Sequence, residues 1–406
     1  MKSKIIKIFF FTILFLSISL YSFSRADSAC ILIGERSDIN CFAIFLKDNF
    51  AYIGDGGSFR IYNVQDPSNP VPQGSLTSPS DVNGIYVVGN IAYVADGADG
   101  LRIITVSNPS SPSQIHRYDT DAAMDVYVVG DLAYIADGMA GLRIIDVSDP
   151  NNPSQVGYVN TPGSAFGVYV VNDLAYVADH TAGLRIIDVS NPGTASEIGH
   201  YSVGNYADGI YVVDTIAFVA YRGLGLRIVN VSDSTNPFEI GHINTWDEAE
   251  DVYVKNNLAY VADRCGGLRV ILVSDLTNPT EVGYYDTYTD YAVDVCFKDS
   301  LAYVAVGSDG FYIIQYTGGA GVEDKLDDII SIKNNLSLIK INYQLKNSAR
   351  VNIGVYNILG QKISSLVNTM LNPGIYSVKW KGSTGIYFIR IEIGDKKYSK
   401  KVVILR

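Results

Sequence analysis

LAYIADGMAGLRIIDVSDPNNPSQVGY, Leu132–Tyr158, is the stretch whose reading decides the fold. Two short runs rich in β-branched and aromatic residues, Leu132–Ala136 and Leu142–Val147, are split by Asp137-Gly138-Met139-Ala140-Gly141. A Ser148-x-Pro150-x-x-Pro153 segment follows, then a short Gln155-Val156-Gly157 run. Such runs fit pleated strands, and proline, which cannot donate a ladder hydrogen bond, marks the loop. Close copies begin at Ile91, Leu174, Ile216 and Leu258, and degenerate ones at Phe50 and Leu301. The aromatic of each A-Y-V-A run falls at Tyr52, Tyr93, Tyr134, Tyr176, Phe218, Tyr260 and Tyr303. The spacings are 41, 41, 42, 42, 42 and 43 residues. A period near 42 with several short apolar runs is that of a four-stranded propeller blade. No stretch keeps a 3.6-residue period long enough for a helix.

Within a unit, strand one is the D-V-Y-V run (Asp125–Val129) and strand two the L-A-Y-V-A run. Strand three is L-R-I-I-D-V, and strand four is the short x-E-I-G-x run, as in Glu197–His200. The seventh copy stops at Tyr316 without a fourth strand, while Cys30-Ile31-Leu32-Ile33-Gly34 precedes the first copy and matches strand four. The N-terminal strand is therefore expected to complete blade seven. That removes a sheet edge and sets the count at seven.

Outward from the repeats, the chain reads as 1–26 signal peptide, 27–317 propeller, 318–330 linker and 331–406 terminal domain. Lys2, Lys4 and Lys7 precede an apolar run, Ile8–Tyr21, and Ser24-Arg25-Ala26 is a small-x-small cleavage site. The apolar run is short for a bilayer span, so no stable membrane span is expected after signal removal. Thr317-Gly318-Gly319-Ala320-Gly321 is a flexible linker. Beyond it, alternating apolar and polar residues predict a small antiparallel Ig-like β-sandwich. The fold class is all-β: a seven-bladed β-propeller followed by that sandwich.

Charge divides the same way. Residues 27–317 carry 13 Lys and Arg against 36 Asp and Glu, a net of −23, and residues 318–406 carry 14 against 6, a net of +8. An acidic body lacks the basic footprint that nucleic acid requires. Four cysteines, Cys30, Cys41, Cys265 and Cys296, follow the signal. They allow three disulfide connectivities or none.

The G-L-R-I-I-D-V-S-D-P-x-x-P run at Gly141–Pro153 resembles the signature of the LVIVD repeat family, over roughly Ile31 to Tyr316. That family implies an exported or surface-located bacterial or archaeal propeller with no defined biochemical activity. The tail is similar to the C-terminal sorting domain of type IX secretion substrates, itself similar to the Ig-like domain of flagellar hook-capping proteins. The matching residues are Val355–Gln361, Pro373–Tyr376, Trp380, Gly385–Phe388 and Lys400-Lys401. The resemblance implies contact with the type IX secretion machinery and delivery to the outer surface or the medium, with tail removal typical.

The recurrent Asp at the end of strand two (Asp55, Asp96, Asp137, Asp179, Asp263) and Arg on strand three (Arg60, Arg102, Arg143, Arg185, Arg227, Arg269) read as a structural clamp on the turn between those strands. A scaffold repeats; a site breaks the repeat. His180, Tyr221-Arg222 and Arg264-Cys265 interrupt a turn that elsewhere holds Gly or Ala, and acids gather before strand one in blades five to seven. These positions should converge at one mouth of the central channel. The candidate ligand contacts are Asp208, Tyr221, Arg222, Trp246, Glu250, Asp251 and Arg264. No D-x-D-x-D-G calcium loop, Ser/His/Asp set or G-x-S-x-G is present, so no cofactor is expected, with Ca²⁺ the one candidate. The reading is a non-enzymatic surface scaffold that binds an unidentified surface protein or glycan. The alternatives are a carbohydrate-active enzyme using Asp208 and Glu250, and a structural surface-layer component.

Overall fold

A computed structural model of the protein describes residues 29–287, 290–317, 324–327, 330–335, 338–345, 347–357, 361–383, 385–394 and 396–404. The signal peptide at 1–26 and the glycines of the linker lie outside the described residues. Seven four-stranded antiparallel sheets follow one another, each in the order strand one, two, three, four. No α-helix occurs among the described residues; Pro192–Thr194 and Arg222–Leu224 are single 3₁₀ turns.

Ring closure is as the terminal strands imply. Cys30–Arg36 pairs antiparallel with Phe311–Tyr316 and becomes the fourth strand of blade seven. The pairing of Cys30 with Tyr316, and of Thr317 N–H with Ala29 carbonyl at 2.6 Å, brings both chain ends of the propeller together.

The core lies between blades. Strand two is buried on both faces: Ala133, Tyr134, Ile135 and Ala136 are all interior. Tyr176, Leu184 and Ile186 of blade four pack against Ile210, Val212, Val219 and Val229 of blade five, and each neighbouring pair repeats the arrangement. The glycine of strand four shows how close the blades come. A Cβ at Gly199 would sit 2.0 Å from the Ser234 carbonyl of the next blade, and one at Gly34 would sit 2.1 Å from that of Pro67. Only glycine allows that approach.

The recurrent Asp and Arg hold more than their own turn. The Asp179 carboxylate accepts Gly163 N–H at 2.8 Å and the Thr161 hydroxyl at 2.5 Å, in the loop arriving from the preceding blade. Asp263 accepts Trp246 and Asp247 N–H, both at 3.0 Å. Arg185 and Arg269 stand 3.6 and 3.5 Å from their aspartates. The pair therefore ties one blade to the loop that leads into it.

The C-terminal region forms two four-stranded sheets around Ile339, Ile341, Val351, Ile353, Ile389 and Ile391. Strand Asp324–Asp327, within the stretch read as linker, pairs with Ile330–Asn335 and belongs to one of these sheets. No helix long and apolar enough to cross a membrane occurs among the described residues.

Candidate functional site at the channel mouth

Antiparallel bridges place the turn after strand two beside the loop entering strand one of the next blade: Gly97 with Ala123, Gly138 with Ala165, His180 with Ala207, Arg264 with Ala292. The residue that makes the bridge has positive φ. In blades one, two, three and seven it is Gly56, Gly97, Gly138 or Gly307, at +43° to +52°. Blade four puts His180 there at +45° and blade six puts Arg264 there at +40°. L-residues adopt this region at a cost of ~1 kcal/mol or more, and arginine has no local hydrogen bond to offset it.

Those side chains meet over the mouth. His180 stacks between Phe166 and Tyr206, with ring centroids 4.7 and 4.3 Å away. Its Nδ1 is 2.8 Å from Asp208 Oδ1, and Asp208 also accepts from Arg222 Nε. Arg222 reaches Glu250 at 3.6 Å. Arg264 bridges Glu250 at 3.0 Å and Glu248, and its guanidinium lies 4.9 Å from the centre of the Tyr291 ring. The result is one continuous network across blades four to seven. Burial pushes the Glu250 carboxyl up to about 7; Arg222 and Arg264 oppose that rise, and neighbouring Asp208 reinforces it.

Four of the seven expected contacts, Asp208, Arg222, Glu250 and Arg264, are brought together here. Three are not. Tyr221 occupies the place of the recurrent Asp and is fully buried, its hydroxyl donating to the Tyr201 carbonyl at 3.2 Å. It fills the core and cannot touch a ligand. Asp251 lies below the mouth, inside the channel, where its carboxylate accepts Val295 N–H at 3.1 Å. Trp246 is 68% exposed, but its ring faces Arg269 at 5.8 Å on strand three, outside the network. Phe166, Tyr206, Glu248 and Tyr291 are members that the sequence reading did not select. Tyr206 and Tyr291 stand just before strand one, where a comparison of the loops across blades would have shown them.

Beneath the mouth, strand one of all seven blades lines a central cavity of about 440 Å³. The strand-one residue paired with the strand-two aromatic forms a belt that is aromatic in six blades, Phe45, Tyr86, Tyr127, Tyr169, Tyr211 and Tyr253, with Cys296 in the same place in blade seven. Successive rings from Phe45 to Tyr253 lie 4.7–5.0 Å apart. Burial, first, and the neighbouring phenols hold the hydroxyls of Tyr127, Tyr169, Tyr211 and Tyr253 above the ordinary tyrosine range.

Residues 42–78, 79–120, 122–161, 162–203, 204–245 and 248–287 each match the LVIVD repeat, and residues 334–405 match the secretion system C-terminal sorting domain. No curated protein matches the chain. Among solved structures, PorZ, an essential bacterial surface component of the type-IX secretion system of Porphyromonas gingivalis, is similar at 13% identity and a TM-score of 0.53. The match covers 91% of this chain and 60% of PorZ. U3-55K is similar at 10% identity and a TM-score of 0.56, covering 70% of this chain and 98% of its own. A computationally designed protein, Ika8, is similar at 10% identity and a TM-score of 0.53, covering 68% and 83%. Identities this low speak to the fold alone.

Proposed function

The chain belongs to the LVIVD repeat family and ends in a secretion system C-terminal sorting domain, and from that premise we propose that it is a non-enzymatic binding scaffold whose partner sits on the channel mouth over blades four to seven. The sorting domain marks the protein for the cell surface or secretion through the type IX machinery. The single observation that carries the binding reading is the pair His180 and Arg264 at positive φ, where four other blades use glycine. A fold that already has the unstrained solution in its repeat keeps the strained one for what the side chains do.

Orientation supports the same reading. Strand three of blade seven runs away from the mouth, so the chain leaves the propeller at Thr317 on the opposite face, beside Ala29. The mouth thus faces away from the point where the tail departs. The partner is a surface protein or glycan: Tyr206 and Tyr291 offer half-exposed rings, and the Arg and carboxylate groups offer directed hydrogen bonds.

The test is an array of glycans and surface proteins probed with the exported protein and with the His180→Gly/Arg264→Gly double variant. A hit lost in the double variant, which still melts cooperatively, supports the scaffold. A hit that both proteins retain rules the mouth out. One observation favours a second reading: Glu250, raised to about 7 beside Asp208, has the protonation behaviour of a general acid. Turnover of a glycan hit that Glu250→Gln abolishes, with binding retained, would establish an enzyme instead.

A further inference from the structure

The cavity below the mouth reaches down to the aromatic belt, and its lining determines the charge of what can enter. Asp125, Asp251 and Asp294 stand at the first position of strand one or close to it, and Asp208 and Glu250 stand at the rim. Phe42, Asn83, Met124, Phe166 and Val293 form the rest of that rim. No Lys, Arg or His lines the cavity among the described residues. Asp125 accepts Val126 and Val168 N–H at 2.8 and 2.9 Å, and Asp294 accepts Ile44 N–H at 2.7 Å. These bonds fix the carboxyls but bring no positive charge.

Inside the cavity an anion would meet carboxylates, since Arg222 and Arg264 at the mouth are already paired with Asp208, Glu248 and Glu250. A purely apolar ligand would strip them of water with nothing in exchange. A metal ion needs several carboxyls converging at short range, and no group of three or more His, Cys, Asp or Glu that could hold one occurs among the described residues. An organic cation fits the remaining space. From rim to belt the strand advances three residues, roughly 10 Å at ~3.3 Å per residue. That depth takes a four-carbon stem against Phe42, Met124, Phe166 and Val293 with its charge among the carboxyls. Carboxylates set among aromatic rings are also a favourable setting for an ammonium.

We infer that this cavity receives a primary ammonium on an unbranched apolar stem, as on a lysine of the partner, inserted through the mouth. The inference rests on reading the mouth as the partner face and gives that partner a chemical mark. The state of the empty cavity agrees with it. Burial pushes Asp125 up to about 6 and holds Asp294 well above the carboxylate range, the latter aided by the charge of Asp251. An ammonium would displace those protons, so its affinity should rise with pH.

Calorimetry of the exported protein with N-acetyl-lysine methylamide tests this, with N-acetyl-norleucine methylamide as the uncharged control. Saturable binding at least tenfold tighter than the control, and strengthening severalfold from pH 5.5 to 8, is expected. Met124→Lys, which tethers an ammonium at the rim, should abolish it, and Asp251→Asn should weaken it about tenfold should Met124→Lys fail to fold. Equal binding of the two probes overturns the inference, as does Met124→Lys binding like the parent. The two proposals fail separately. The lysine probe should still bind the His180→Gly/Arg264→Gly protein. A partner lost in that variant while no probe binds the parent refutes the cavity and leaves the mouth. A probe that binds while no partner depends on the mouth does the reverse.

Discussion

Blade three closes its upper turn with Gly138 at φ +50°, and blade four closes the same turn with His180 at φ +45°. The backbone is the same: Gly138 N–H donates to the Ala165 carbonyl at 3.2 Å and His180 N–H to that of Ala207 at 2.9 Å. The aspartate before each turn holds the loop from the preceding blade in both. What differs is the side chain, and around it the neighbours. Gly138 looks onto Ala122 and Ser164; His180 has Phe166, Tyr206 and Asp208. A repeat protein thus keeps one scaffold and specialises a sector of it, and the two halves of the ring should answer differently to substitution.

The largest effect should come from what the blades share. Gly199→Val places a side chain 2.0 Å from the Ser234 carbonyl, so blades four and five must part. A loss of about 4 kcal/mol is expected, which lowers the melting temperature by roughly 10 °C in a domain of this size. The same substitution at Gly157, against the Pro192 carbonyl, should cost as much. Melting curves that separate the two positions would break the idea that the scaffold is uniform.

A middle-sized effect belongs to the specialised sector. Glu250 is raised to about 7 in the folded protein, against ~4.3 when unfolded. A carboxyl raised on folding contributes stability that is complete below its unfolded value and is lost as pH rises through the folded one. The protein should therefore lose stability between pH 5 and 8 on this account, by on the order of 2 kcal/mol. Glu250→Gln should flatten that part of the decline, leaving the portion due to Asp125. An unchanged slope in thermal melts across this range would show that the carboxyl carries its charge throughout.

Legibility followed the same division. The blades, their number and the closing strand could be read because alternation and a 42-residue period are properties of the chain itself. Asp208, Arg222, Glu250 and Arg264 could be read because each breaks the repeat. Tyr221 breaks it too, yet it points inward: sequence marks where a repeat departs from pattern but not which way the new side chain turns. A phenol fits the space left by the missing aspartate, so burial won. Asp251 looked like a loop acid, but register puts it first in strand one and inside the channel. The aromatic belt was hidden for the opposite reason. It recurs in six of the seven blades, so it looked like scaffold, and only ring closure brings these ordinary strand residues around one cavity.

The smallest effect is the sharpest probe of the comparison itself. Gly138→His copies the blade-four turn into blade three without its partners. The new Cβ would lie 3.1 Å from that of Ala122, a contact that a small shift relieves, so the main cost is positive φ. That cost is about 1 kcal/mol, roughly 2 °C in the melt. His180→Gly removes the same strain but also the stacking and the bond to Asp208, and these should nearly cancel. The two substitutions therefore should not be mirror images: blade three loses about 1 kcal/mol and blade four changes by less than half of that. If His180→Gly instead stabilises by the full amount, the aromatic sandwich contributes nothing to folding and His180 is held there wholly at the scaffold's expense. If Gly138→His costs nothing, the turn tolerates any residue, and the strain that singles out blades four and six is not a mark of function.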